Sequence, residues 1–337
     1  MNKIRLGVIG TGLVFRYNHL PVLSQLSERF QIIALCNPHT EKAKALASEF
    51  HLEADIYNDY SKMIRRNDID AVLVTVPIHL LSSISLDAIS LRKHVFQEKP
   101  VSDTVKLGGQ LIMAAKKNKV VLMVGENFRY RPEFRQVHSL VQKGLIGDPK
   151  LYRINDLHYT YPGGQWSQTP WRQKGEHSGG YLVDGGTHII AGMRETVRRK
   201  IIGVHGLSAS FYPELLSRQD DTLLLHLAFE NGIIGQLAIG YGTIDPDARK
   251  PKMYGNKGTL VLNSAKKVIE LWSVDKNAQV QTFPIETAND FMAEWRDFYD
   301  AIVNGKQPYS TAEDALVDLM IIEAGRRSSV SGSVIKF

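Results

Sequence analysis

A single cysteine, Cys36, stands in a chain of 337 residues, which excludes an internal disulfide and suits a reducing compartment. It lies in the apolar run "IIALC", the setting of a buried strand residue rather than of a nucleophile. No uninterrupted apolar run approaches the roughly 20 residues that a membrane helix needs, so no membrane span is expected. The opening "MNKIRLGVIG" passes straight into a strand pattern and leaves no room for a signal peptide, so a cytoplasmic location is expected. The histidines are dispersed and have one cysteine for company, so no zinc spacing exists and no metal is expected. Formal net charge is +6, yet the densest basic cluster, "RETVRRK" at 194–200, is short and reads as the solvated end of a helix. Basic and aromatic residues do not interleave, which argues against a nucleic-acid partner. The positive balance favours anionic ligands only in a general way. Internal repeats and low-complexity tracts are also missing.

What is present is an ordinary globular composition, 43% hydrophobic and 23% charged. At roughly 100–200 residues per domain, two domains are expected. Residues 1–124 alternate the apolar runs "IRLGVIG", "QIIALCN", "AVLVTVP", "HVFQE" and "VVLMVGE" with helical stretches at 20–29, 39–50, 58–66, 80–92 and 103–118. That alternation predicts a doubly wound parallel α/β sheet with right-handed crossovers. After Gly125 the texture changes. Helices are expected over 132–143, 181–197, near 290–304 and over 312–329. Between them lie short strands with turn signals, including an Asn231-Gly232 hairpin turn. The expected division is 1–124, a dinucleotide-binding Rossmann domain, and 125–337, an α+β domain with a mostly antiparallel sheet.

Three stretches carry chemistry. "GVIGTGLVF" puts Gly10 and Gly12 directly after the first strand, where one glycine makes the tight turn and the other admits a pyrophosphate. The N–H groups of the following helix, with Thr11, Leu13 and Val14 at its entry, receive phosphate charge. A bare glycine pattern is weak, and Phe15 fills the third, usually small, position; its place in a strand–helix alternation is what strengthens it. "HVFQEKPVS" ends a buried strand on Glu98, Lys99 and Pro100, and ligands of open α/β sheets bind outside such strand ends. The bland alternative is that Pro100 stops the strand and Lys99 points into water. "GGYLVDGGTHIIAGM" places Asp184 and His188 four apart, on one face if helical. It also keeps Gly185, Gly186 and Gly192, each costing about 1 kcal/mol against alanine in a helix. Something must press against that stretch, whether a ligand or a packed neighbour.

Taken with "NHLPVL", "GENFRYRPEF", "GLIGDPKLYRI", "PWR" and "AEDALVDLMIIEAG" in order, these segments resemble the glucose–fructose oxidoreductase / inositol dehydrogenase (Gfo/Idh/MocA) family over nearly the whole chain. The resemblance implies a Rossmann domain, a second α/β domain whose open sheet often forms the subunit interface, and NAD(P)-dependent oxidoreduction of a sugar, polyol or cyclitol. It matches Lys99 to the family's catalytic lysine, Asp184 to the acidic partner and His188 to the catalytic histidine. A homodimer or homotetramer through the C-terminal sheet is implied as well. The sequence departs from the pattern at Phe15, in a loop one residue longer before His19, at Ala191 in place of an aspartate, and at Asn37 in place of an acidic residue.

In this reading His188 is the general base and Lys99 binds the reacting oxygen, with the base role open between the two. Asp184 orients His188 or holds a substrate hydroxyl. Glu98 fixes Lys99. Val76, Pro77 and His79 follow a strand end and line the nicotinamide side, although a capping role suits His79 equally. Trp166, Trp171 and Arg172 are candidate substrate contacts in a loop that also holds Tyr161, and Arg129, which with Tyr130 opens the second domain, is a further candidate substrate contact. Asn37 does not repel a 2′-phosphate as aspartate would, and His39 and Lys42 can donate to one. NADP is therefore slightly favoured over NAD. The competing functions are a glycosidase that oxidises its sugar only transiently, and a nucleotide sensor without catalysis. A sensor needs none of Lys99, Asp184 and His188.

Overall fold

In the computed structural model, which describes residues 3–212 and 219–337, the first apolar run becomes β1 (Ile4–Ile9). It is followed by β2 (Phe30–Cys36), β3 (Asp55–Tyr57), β4 (Ala71–Val74), β5 (His94–Glu98) and β6 (Leu122–Gly125). All pair in parallel, in the order β3-β2-β1-β4-β5-β6. Every residue of β4 and β6 is buried, as expected of strands covered on both faces by crossover helices. The strand order reverses between β1 and β4, so the crevice at their carboxyl ends is the topological switch point of the sheet. Five strands were expected and six are seen. The missed one, β3, is three residues long with none buried, too short for an alternation to show.

Local chemistry sets the helix starts. Asp59 accepts the Ser61 N–H at 2.8 Å, Thr104 accepts that of Leu107 at 3.3 Å, and Asn289 accepts that of Met292 at 3.0 Å. Each satisfies one of the orphan donors of a first turn, worth about 1 kcal/mol.

The chain divides into two compact units, Met1–Tyr130 with Asn289–Val317, and Arg131–Ala288 with Asp318–Phe337. This grouping differs from the expected 124/125 division in placing 289–317 with the amino-terminal sheet. Its helix Asp290–Asn304 inserts Trp295 and Phe298, both 0% exposed, into the core formed by Phe30, Phe96 and Leu6. Burying two such side chains is worth roughly 1.5–3 kcal/mol each. Ser310 closes the link with a 2.9 Å hydroxyl bond to the Val124 carbonyl, and Tyr130 donates to Asp297 at 2.5 Å.

The second unit is built on β7 (Pro149–Leu157), β8 (Ile201–Ala209), β9 (Thr222–Phe229), β10 (Ile234–Gly240), β11 (Lys252–Gly255), β12 (Gly258–Asn263), β13 (Val268–Ser273), β14 (Gln281–Pro284) and β15 (Ile335–Lys336). They form one sheet in the order β14-β13-β12-β11-β7-β10-β9-β8-β15. Only β7 and β10 pair in parallel; the rest are antiparallel. The Asn231-Gly232 turn is as expected, with φ of 66° and 75° between antiparallel β9 and β10. On the inner face Gly206 of β8 meets Gly325 of the helix Ala312–Ser331 so closely that a Cβ would lie 2.4 Å from the Gly325 carbonyl oxygen. Among the described residues no helix is long and apolar enough to cross a membrane, and no group of three metal-ligating side chains occurs.

Candidate functional site

One group of candidate site residues lies at the switch point. Gly10 has φ +95°, and a Cβ there would lie 2.4 Å from the Thr75 carbonyl oxygen. Thr75 grips the turn, donating its hydroxyl to the Gly10 carbonyl at 2.6 Å. Gly10 is thus required by the protein's own backbone. Gly12 is the opposite case: a Cβ would meet nothing within 4 Å. The helix that follows occupies 13–25, and its first bond runs from Arg16 N–H to Gly12 C=O at 3.0 Å. The N–H groups of the turn before Arg16, around Thr11, Leu13 and Val14, lie outside its ladder, the arrangement that suits an anion. An open cradle at Gly12 beneath a helix amino-terminus fits a dinucleotide pyrophosphate.

This helix contains a π-turn, Phe15–His19, closed by Leu20 N–H to Phe15 C=O. An i→i−5 bond lodges one more residue per turn than an α-helix. Phe15, the first residue of that turn, lies in the core, 0% exposed. At the end of β2, Asn37 donates from Nδ2 to the Thr11 hydroxyl at 2.8 Å and accepts the His39 N–H at 2.9 Å. His39 and Lys42 are exposed beside it, and His39 Nδ1 lies 3.7 Å from Glu41. Val76 and Pro77 are half-buried after β4. His79 is half-buried in the first turn of the helix Ile78–Ser90 that Pro77 caps.

At the end of β5 the backbone around Lys99 is held by its neighbours. Gln97, 0% exposed, donates to the carbonyls of Pro100 and Val101 at 3.2 and 2.8 Å. Glu98 takes the Lys99 backbone N–H on Oε2 at 3.2 Å and faces His19 Nε2 through Oε1 at 2.8 Å. The Lys99–Pro100 bond is cis. Lys99 is half-buried.

A second group of candidate residues lies in the other unit. The single helix expected over 181–197 is two, Gly180–Asp184 and Gly186–Val197, with Gly185 capping both. Asp184 ends one and half-buried His188 enters the next. The glycines answer to packing. A Cβ at Gly185 would lie 2.1 Å from the Tyr241 hydroxyl, and one at Gly192 2.7 Å from the Phe134 ring. Arg172 donates from Nε to Asp184 Oδ2 at 2.6 Å, both side chains being 11% exposed. Its guanidinium sits 4.1 Å over the Trp171 ring and 5.7 Å from that of Trp166, a cation–π seat. The tryptophans thus carry Arg172, and Arg172 holds Asp184. Trp166 remains 40% exposed and Tyr161 67%. Arg129, a further candidate substrate contact, is 2% exposed.

Tyr241 was missed by the sequence reading. Burial, then the charges of Asp156 and Asp184, push its phenol well above its ordinary range, with Arg249 opposing. It therefore stays a protonated donor beside Gly185. The available signal was an aromatic residue between two glycines, Gly240-Tyr241-Gly242, at the carboxyl end of β10.

Comparison with known proteins agrees with this architecture. The NAD-binding Rossmann domain of the Gfo/Idh/MocA oxidoreductase family matches residues 4–126, and the C-terminal alpha/beta domain of that family matches residues 138–337. A solved oxidoreductase from Thermotoga maritima is 29% identical with a TM-score of 0.91, covering 99% of this chain and 98% of that one. The NADP(+)-dependent scyllo-inositol 2-dehydrogenase of Bacillus subtilis is 23% identical over 98% of this chain and 94% of its own. The myo-inositol 2-dehydrogenase of Thermotoga maritima is likewise 23% identical, over 96% of each chain. With both domains matched in order onto a Rossmann sheet and its companion mixed sheet, this chain belongs to the Gfo/Idh/MocA family of oxidoreductases.

Proposed function

We propose that the protein interconverts a secondary hydroxyl and a carbonyl on a sugar, polyol or cyclitol, with NADP slightly favoured over NAD as coenzyme. The inositol dehydrogenases among its relatives support the substrate class. The observation that carries the reading is Lys99, a charged residue at the end of a buried strand, two strands from the open Gly12 cradle.

Gly10, Thr11, Gly12, Leu13 and Val14 would hold the pyrophosphate, and Asn37, His39 and Lys42 the adenosine ribose. Val76, Pro77, His79, Glu98 and Lys99 would face the nicotinamide. When bound, the coenzyme supplies the two-electron acceptor. Lys99 donates to the reacting oxygen and stabilises its alkoxide character. His188 takes the hydroxyl proton as general base. Asp184, held by Arg172, keeps a fixed acceptor for a neighbouring substrate hydroxyl or for His188, and Trp166 and Trp171 border that acceptor. The outward face of the second sheet, where Ile202, Leu207, Leu224 and Ile234 are exposed, is the surface through which a dimer or tetramer would form.

A screen of aldoses, polyols, cyclitols and aldonates with both coenzymes, read by coenzyme absorbance, tests the reading. Lys99→Met should lower kcat/KM at least about a hundredfold, since one such donor is worth roughly 3–4 kcal/mol. Turnover of no substrate with either coenzyme overturns the reading. A Lys99→Met variant keeping more than about a third of the activity removes Lys99 from it.

A further inference from the structure

We infer that His19 is a positioning residue: a buried imidazole, locked in one tautomer by Trp295, that fixes Glu98 and through it the backbone of Lys99. The inference rests on the catalytic role given to Lys99 above. All the groups concerned lie within the first compact unit.

His19 is 0% exposed and has two polar neighbours, one at each ring nitrogen. Trp295 Nε1 donates to Nδ1 at 3.1 Å, and Nε2 lies 2.8 Å from Glu98 Oε1. An indole N–H only donates, so Nδ1 must offer its lone pair. The hydrogen is then on Nε2, directed at the carboxylate. Glu98 accepts on both oxygens, from His19 on Oε1 and from the Lys99 backbone N–H on Oε2. The chain Trp295–His19–Glu98–Lys99 thus runs in one donor-to-acceptor sense as far as the carboxylate, which clasps both ends. Buried bonds of this kind hold geometry more firmly than exposed ones.

Packing alone does not call for histidine here. Phe96, Phe291 and Trp295 surround the ring edge-on with centroids 5.4–5.8 Å away, an apolar box that leucine or phenylalanine would fill. What requires an imidazole is one acceptor and one donor on opposite sides of a small flat group. His19 is also the last residue of the π-turn that follows the glycine loop. The element that forms the coenzyme cradle and the strand end that presents Lys99 are therefore joined by a single side chain.

The test uses wild type, His19→Leu and His19→Gln, each with Lys99 and with Lys99→Met. Turnover is measured with myo-inositol, scyllo-inositol and D-glucose, and coenzyme affinity by NADPH and NADH fluorescence. His19→Leu should lower kcat at least about tenfold while KM and coenzyme Kd move less than about threefold, the pattern of a defect confined to the transition state. Glutamine carries an amide N–H₂ to donate and a carbonyl to accept, and should restore kcat to within about threefold. In the Lys99→Met background the leucine variant should cost less than about twofold more, because the two residues act as one unit. A full loss on top of Lys99→Met, no loss in His19→Leu, or no rescue by glutamine overturns the inference. Should Lys99→Met itself prove active, it is the Lys99 reading that fails. Independently of turnover and of whether the leucine variant folds, nitrogen-15 spectra of histidine-labelled wild type should show Nε2 protonated and Nδ1 bare. The opposite tautomer or a doubly protonated ring at neutral pH also overturns it.

Discussion

Replacing each loop glycine by alanine separates what the fold needs from what the coenzyme needs. At Gly10 a side chain is forced into φ +95° with its Cβ 2.4 Å from a backbone oxygen that cannot rotate away. A positive φ costs an L-residue about 1–2 kcal/mol, and overpacking against rigid structure adds about 1–3 kcal/mol. Gly10→Ala should therefore lose roughly 2–5 kcal/mol, seen as a fall in melting temperature of about 4 °C or more. At Gly12 the new methyl meets nothing within 4 Å, so Gly12→Ala should keep its stability within about 0.5 kcal/mol. Its methyl nevertheless stands in the proposed cradle. NADPH and NADH affinity should fall at least about thirtyfold, some 2 kcal/mol. Thermal melts and fluorescence titration of both variants check this. A Gly12→Ala protein that binds both coenzymes as wild type does would refute the assignment of the cradle to the pyrophosphate.

If His188 is the base, log kcat/KM for alcohol oxidation falls with unit slope on the acid side, and His188→Asn removes that limb with most of the rate; the same limb persisting in the variant moves the base role to Lys99. Wild type should bind NADPH at least as tightly as NADH. In Asn37→Asp the Thr11 hydroxyl reverses to donate and the His39 N–H still donates, so the change is accommodated and should shift preference about tenfold toward NADH; NADH bound tenfold tighter by wild type would exclude the favoured coenzyme. Glu294 is 0% exposed, and neither of its oxygens has a hydrogen-bond partner among the described residues. Burial, then Glu98, Glu126, Asp290 and Asp297, hold its carboxyl well above the ordinary value. With the folded pKa raised, the folded state keeps a proton that the unfolded chain releases, so this stabilisation is present below the unfolded pKa and is lost as pH rises toward the folded one. Glu294→Gln should gain melting temperature over wild type progressively above about pH 4.5, the ordinary carboxyl value, and parallel profiles would refute that account.

Much of this protein was legible along the chain. Apolar runs and helical periodicity located five of the six Rossmann strands and their helices, because burial on both faces writes a continuous apolar signal into four or more residues. Glycine and turn chemistry marked the loop at 10–12 and the hairpin at 231–232, since a positive φ constrains residue type locally. The strand end at Lys99 was equally visible, as charge where burial was expected. What tertiary structure alone decided is who meets whom. That 289–317 joins the amino-terminal sheet, that Arg172 holds Asp184, that His19 meets Glu98 and Trp295, and that Tyr241 needs Gly185 are pairings between residues that are not neighbours in the chain. Each partner alone reads as an ordinary polar or aromatic residue. Three-residue β3 and the break at Gly185 were hidden for the same reason: their form comes from neighbours in space, whose packing and hydrogen bonds outweigh local propensities of about 1 kcal/mol or less per residue.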